Sequence, residues 1–149
     1  MPGDTVTVRM AEIGFARDGT ALKTTLGSCV GVVVRDRDRA VAGLAHVMLP
    51  RRLRDGDPPG KYADTAIPAL LAGVESRGAR RAALQAWIVG GACMFPVEDR
   101  LGSIGDRNVE ETRRLLADLG IPVVREEVGG TSGRTVTFHP RTADLDIHT

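Results

Sequence analysis

The chain has 149 residues and a formal net charge of +1 at neutral pH, from 20 basic and 19 acidic residues. A chain of this length buries about 70% of its unfolded surface, which favours one domain over residues 1–149. The balanced charge argues against nucleic-acid binding, and no apolar run reaches the roughly 18 residues that a membrane span requires. Residues 1–4 lack the basic region and apolar core of a signal peptide, so we expect a cytoplasmic protein without membrane insertion.

Apolar patterning predicts a single layer domain that mixes helices and strands. The predicted elements are, in order, strands at 5–10, 30–35 and 41–48, a loop at 50–60, a helix at 63–77, a strand at 82–89, a helix from Asn108, and strands at 121–127 and 134–139. The runs at 30–35 and 41–48 are nearly continuous and β-branched, as is typical of strands covered on both faces. Thr65 is the expected cap of the first helix, which would place Pro68 in its tolerant first turn.

One cysteine and one histidine lie at the glycine-flanked ends of the two strands around the charged turn 35–39. If the turn is centred on Arg37-Asp38, Cys29 falls directly opposite His46. Directly opposed residues on antiparallel strands share a face, with Cβ atoms about 4.5–5.5 Å apart. A one-residue slip of this register would send the two side chains to opposite faces.

An imidazole next to a thiol can take the thiol proton and later protonate a leaving amine or ammonia, so this pair indicates a Cys/His nucleophilic enzyme. Each residue alone is more readily explained as part of an apolar core, and it is their shared register that favours a functional pair. A third group normally orients the histidine ring, and Thr24 and Thr25 are the nearest candidates.

Glycines and Ser28 form a candidate substrate-binding surface around the cysteine. Gly27 and Ser28 allow a tight turn in which the Cys29 N–H is free to bind a developing oxyanion. Gly90 and Gly91, at a strand end, are further positions where a substrate could approach. Turn glycines with no such role would look the same.

Two cysteines and three histidines are too few for a disulfide framework or a zinc site, so neither a metal nor a cofactor is expected. Cys93 is interpreted as a packing residue. For Asn108 we favour helix capping over the binding of an anion at the helix N-terminus.

Six blocks in order resemble the chemoreceptor glutamine deamidase family, CheD. They are TTLGSCVGV at 24–32, AHVMLP at 45–50, KYAD at 61–64, GGACMF at 90–95, IGDRN at 104–108 and VGGTSGR at 128–134. The family often has asparagine where this chain has Cys93, which departs from the pattern without touching the Cys/His pair.

The resemblance implies an α+β fold, a layered sandwich of mixed sheets flanked by two or three helices and akin to deamidating toxins. It implies hydrolysis of glutamine side chains in methyl-accepting chemotaxis receptors, by Cys29, His46 and a threonine that we take as Thr24, with Thr25 as the alternative. The partners implied are the cytoplasmic helical region of those receptors and, in some members, the phosphatase CheC. Two competing interpretations are a non-catalytic adaptor that binds receptors or a phosphatase, and a hydrolase of small amides.

Overall fold

The computed structural model describes residues 4–93 and 103–149, and in these it contains nine β-strands and two α-helices. The strands are β1 Thr5–Thr7, β2 Ile13–Arg17, β3 Ala21–Leu26, β4 Val30–Asp36, β5 Val41–Val47, β6 Leu84–Gly90, β7 Val123–Val128, β8 Arg134–His139 and β9 Asp144–His148. The helices are α1 Ala63–Ser76 and α2 Ile104–Asp118.

Five strands form a mixed central sheet in the order β2-β5-β4-β6-β7. Its strands are antiparallel except for the parallel pair β6–β7. All seven residues of β5 are buried, as a strand covered on both faces should be. One face packs against apolar side chains of α1 and α2, including Ile67, Leu70 and Leu116.

Four strands form a second, outer sheet in the order β1-β3-β8-β9. Its inward face packs against the other face of the central sheet, where Leu22, Leu26 and Phe138 meet Leu44 and Trp87. The molecule is therefore layered as helices, central sheet and outer sheet. This confirms the α+β sandwich with mixed sheets, and the site lies between the two sheets.

Several element predictions are corrected. The strand expected at 5–10 ends at Thr7, and Met10 is exposed rather than facing the core. Residues 13–17, where no strand was predicted, form β2. Helix α2 begins at Ile104 instead of Asn108, because Ser103 caps it by accepting a hydrogen bond from the Asp106 N–H.

Two further corrections concern α1 and the C-terminus. The N-cap of α1 is Tyr62, without a side-chain cap bond, so Pro68 lies inside the helix rather than in its first turn. Residues 144–148, where no element was predicted, form β9 at the edge of the outer sheet. Neither α-helix in the described part of the chain has the length and apolar content of a membrane span.

Candidate active site

His46 lies in β5 with its side chain between the sheets and is only 3% exposed. Thr24 of β3 faces it from the outer sheet and is 1% exposed. Thr24 Oγ1 lies 2.7 Å from His46 Nδ1 and 2.6 Å from the carbonyl oxygen of Val8. The alternative candidate, Thr25, is exposed on the other face of β3, where its hydroxyl pairs with that of Thr135.

These contacts assign the protons on the imidazole. The Val8 carbonyl oxygen can only accept, so the single Thr24 hydroxyl proton is donated to it. Thr24 Oγ1 is then left to accept from His46, which places the ring proton on Nδ1. The other ring nitrogen, Nε2, carries the free lone pair and is the basic atom of the site.

The register around the turn differs from the sequence prediction by two residues. His46 pairs with Gly31, and Cys29 lies just before the first residue of β4. The prediction that Cys29 lies directly opposite His46 is therefore wrong. Because side chains alternate along a strand, Cys29 and Gly31 still lie on the same face, and Cys29 packs with the core between the sheets.

Burial shifts the pKa values of Cys29 and His46 in the directions that favour their neutral forms. It raises the pKa of the Cys29 thiol above its ordinary value. Burial likewise lowers the pKa of His46, partly opposed by the Val8 carbonyl, which favours the protonated ring. The resting site is thus a neutral thiol and a neutral imidazole. In such a site no thiolate is present beforehand, so a base must take the thiol proton while the sulfur attacks.

The backbone of Gly27, Ser28 and Cys29, here called the nucleophile loop, is held at each of its three carbonyl oxygens. The Gly27 oxygen accepts from the Ala92 N–H at 3.0 Å, and the Cys29 oxygen accepts from the Gly91 N–H at 2.9 Å. The Ser28 oxygen accepts instead from a side chain, Nδ2 of Asn108, at 3.3 Å. In the described part of the chain, no turn or loop hydrogen bond uses the Cys29 N–H as its donor.

Gly90 and Gly91, predicted to bind substrate, are both buried against this loop. A Cβ at Gly90 would lie 2.5 Å from the Cys29 carbonyl oxygen. This close approach gives the glycine a packing reason, because any side chain would displace the loop. A role for the two glycines in binding substrate stays a prediction.

Sequence reasoning missed two contributors to the site. One is the Val8 carbonyl, which no side-chain pattern signals. The other is Asn108, which was interpreted as a helix cap but lies fully buried in the second turn of α2. Its spacing from Gly105, Val109 and Thr112 places it on the buried stripe of the helix, and a polar residue in such a stripe is the signal that would have found it.

Charged side chains line a cavity outside the site. In the cavity beside Pro50, of about 590 Å³, Glu111 pairs with Arg51 and Arg114. Across residues 4–93 and 103–149, no three His, Cys, Asp or Glu side chains come together as a metal site would require.

A family model and individual relatives of this chain all carry the same family name. A family model described as CheD chemotactic sensory transduction matches residues 48–149. The chain is 43% identical to the chemoreceptor glutamine deamidase CheD of Halalkalibacterium halodurans, over 98% of this chain and 94% of that protein. It is 47% identical to a probable chemoreceptor glutamine deamidase CheD of Geobacillus kaustophilus, over 97% of this chain and 92% of that protein.

Solved structures share the fold at low identity. A Neisseria meningitidis protein of the DUF152 family superimposes with a TM-score of 0.53 at 10% identity, over 85% of this chain and 64% of that one. The hypothetical protein YfiH of Bacillus licheniformis gives 0.51 at 17% identity, over 80% of this chain and 50% of that one. The chain thus spans about half to two thirds of these structures, and the likeness concerns the fold alone.

Proposed function

This chain belongs to the CheD family, and from that premise we propose that it hydrolyses glutamine side chains of chemotaxis receptors to glutamate, with Cys29 as the nucleophile. The observation that carries the proposal is the hydrogen bond between Thr24 Oγ1 and His46 Nδ1, which leaves Nε2 basic on the face shared with Cys29. A buried imidazole prepared in this way suits proton transfer to and from a thiol.

The reaction begins with attack of the Cys29 sulfur on the carbon of the receptor carboxamide. The thiol proton passes to His46 Nε2 as the S–C bond forms, which agrees with the neutral resting pair. His46 then gives this proton to the leaving nitrogen, the C–N bond breaks, and ammonia departs from a thioester. Water deprotonated by His46 cleaves the thioester, releasing a carboxylate and restoring the thiol.

The nucleophile loop supplies the electrostatic part of the mechanism. Negative charge develops on the carboxamide oxygen as the tetrahedral intermediate forms. The Cys29 N–H is the donor that we assign to this oxygen, because the loop that carries it is fixed before substrate arrives. Removing one such donor typically costs about 10²–10³ in kcat.

Thr24 acts through His46 and is a positioning residue. Its hydroxyl fixes the ring tautomer and anchors the ring to the Val8 carbonyl. A histidine oriented by a neutral group gains less stabilisation of its protonated form than one beside a carboxylate, in line with the lowered pKa of His46.

We assign the protein to the cytoplasm and its substrate glutamines to the cytoplasmic helical region of the receptors. The loop after β5 supports contact with an acidic partner, since Arg52 and Arg54 are exposed there. A CheC-type phosphatase stays a second candidate partner on the strength of the family resemblance.

Mass mapping of a receptor cytoplasmic fragment after incubation with the protein tests the proposal. The wild type and Cys93→Ala should convert selected glutamines to glutamate, and Cys29→Ala should convert none. Conversion by Cys29→Ala would overturn the mechanism. Receptor binding without conversion by the wild type would favour the adaptor, and ammonia release from free glutamine alone would favour the small-amide hydrolase.

A further inference from the structure

Asn108 joins the two chain segments that carry the proposed catalytic pair. Its Nδ2 donates to the carbonyl oxygen of Ser28 at 3.3 Å and to that of Met48 at 3.0 Å. Ser28 immediately precedes Cys29, and Met48 follows His46 by two residues. One amide group, fully buried on α2, therefore ties the end of β5 to the nucleophile loop.

The orientation of this amide follows from its partners. Both are carbonyl oxygens, which only accept, so Nδ2 must face them and Oδ1 must face away. Oδ1 is buried and has no hydrogen-bond partner in the described part of the chain. An unpaired buried acceptor destabilises the folded state, so packing alone would favour an apolar side chain here.

Holding the Ser28 carbonyl also directs the neighbouring N–H. The Ser28–Cys29 peptide group is planar and trans, so its C=O and N–H point in opposite directions. With the oxygen turned toward α2 and bonded to Asn108, the Cys29 N–H is turned away from α2. We propose that Asn108 is a positioning residue that aims the Cys29 N–H at the developing oxyanion. This rests on the proposed function, which assigns that N–H its role.

The packing of α2 supports this assignment. A Cβ at Gly105 would lie 2.4 Å from the Gly91 carbonyl oxygen, so the helix approaches as closely as a glycine allows. Gly91 itself donates to the Cys29 carbonyl oxygen. The first turn of α2 thus rests on the segment that holds the nucleophile loop, and Asn108 reaches the loop from the next turn.

Three variants test the proposal, namely Asn108→Leu, Asn108→Asp and Thr112→Val. Thr112 lies one turn further along the same buried face, and its hydroxyl has no partner in the described part of the chain, so Thr112→Val is the matched control. Asn108→Leu removes both donors while filling the space. Asn108→Asp loses both donors when ionised but regains one when protonated.

In folded protein, Asn108→Leu should lower kcat on the receptor fragment by about 10²-fold, because a 1 Å misplacement of a reacting group can reduce the rate by that factor. KM should stay within about twofold of the wild-type value. Thr112→Val should keep the wild-type kcat. The ratio of Asn108→Asp to Asn108→Leu activity should rise as the pH falls from about 8 to about 5, since burial raises the pKa of a carboxyl above its usual range. A kcat within about threefold of wild type in Asn108→Leu, an equal fall in Thr112→Val, or a ratio constant with pH would overturn the proposal.

The NMR order parameter of the Cys29 N–H needs no receptor and separates the two proposals. In the wild type and Thr112→Val it should be near the rigid value of about 0.85, and in Asn108→Leu it should fall toward about 0.6. A rigid Cys29 N–H in Asn108→Leu would overturn the role of Asn108 whatever the activity. A wild type that leaves receptor glutamines unchanged, with the N–H loosened in Asn108→Leu, would overturn the proposed function alone.

Discussion

Gly31, rather than Cys29, lies directly across the β4–β5 ladder from His46. A Cβ at Gly31 would lie 3.1 Å from Leu26 Cδ1 and 3.9 Å from Thr24 Cγ2. The first distance is tighter than an ordinary contact and the second is ordinary, so a side chain at this position would crowd Leu26, which shares the buried face of β3 with Thr24. The glycine opposite His46 thus leaves room for the Leu26 side chain.

Replacing Gly31 with alanine should push Leu26 away from the central sheet and, through β3, shift Thr24, which lies two residues earlier. We expect a loss of about 1 kcal/mol in the free energy of unfolding, as for other overpacked cores. The kcat should fall by at least about tenfold, because the hydrogen bond to His46 lengthens. Urea unfolding and receptor deamidation measure the two effects.

Gly120→Ala is the matched control for this variant. Gly120 follows α2 with a φ of 73°, and a Cβ there meets nothing within 4 Å. Backbone strain should lower stability by a similar amount without changing kcat. Equal effects of the two variants on kcat would contradict the packing argument.

Thr24→Val should lower kcat by about 10–10²-fold, because the His46 ring loses the acceptor that fixes its tautomer. Valine keeps the shape and β-branching of threonine, so the strand is preserved. Thr24→Ser restores the hydroxyl and should recover most of the activity. Thr25→Val, on the exposed face, should leave both kcat and stability close to wild type, and loss of activity in Thr25→Val alone would reverse the assignment.

Alkylation of Cys29 by iodoacetamide, followed on its own peptide by mass spectrometry, should increase with pH around a midpoint above the free-thiol value of about 8.5. The reason is that burial raises the pKa of Cys29. A midpoint below about 7 would indicate a thiolate paired with a protonated histidine at rest.

Protein stability should fall on the acid side of the histidine titration. Because the pKa of His46 is lowered by burial, the unfolded chain binds a proton more readily than the folded one. Its contribution to stability is present above the unfolded pKa of about 6.5 and is lost as the pH falls through and below that value. Comparing urea unfolding of the wild type and His46→Gln across this range isolates the effect, and parallel curves would contradict it.

Asp36→Asn should destabilise the fold by about 2 kcal/mol, because the amide nitrogen that replaces one carboxylate oxygen cannot accept the backbone hydrogen bond made there. Asp36 is fully buried and accepts from the backbone N–H groups of Asp38 and Arg80, each at 2.8 Å. Burial raises the pKa of Asp36, but these bonds and the Arg80 side chain outweigh it and lower the pKa. Its stabilisation should thus be present above the unfolded pKa of about 3.9 and be lost as the pH falls through the folded value.

Asp38→Asn serves as the control, because Asp38 is exposed and pairs with the same arginine. An exposed ion pair contributes about 0–1 kcal/mol, so this variant should unfold close to the wild type. Equal destabilisation by the two substitutions in urea would refute the role given to the buried carboxylate.

The shared face of Cys29 and His46 was predictable although the register was not. Side chains on a strand alternate with a period of two, so an error of two residues leaves both on the same face. The buried character of β4 and β5 followed from their continuous apolar runs. Which threonine faces His46 depends on the pairing of β3 with β8, a contact more than a hundred residues apart in sequence.

Strands and site residues that depend on tertiary contacts were not predicted from the sequence. Strand β2 contains Gly14, which disfavours a strand locally, yet pairs with β5 and packs beneath Val8. Strand β9 alternates charged and apolar residues at a sheet edge, where exposure hides the pattern. The role of Asn108 depends on two carbonyl groups 60 and 80 residues away, which no local pattern reports.

The order of these contacts along the chain has a consequence for synthesis on the ribosome. Thr24, Cys29 and His46 emerge within the first third of the chain, but the strand that pairs with Thr24 and the helix that bears Asn108 emerge near its end. A nascent chain that stops before β8 holds every proposed catalytic side chain without the outer-sheet partner of Thr24. Deamidase activity should therefore be acquired late in translation, because the contact between Thr24 and His46 needs the complete outer sheet.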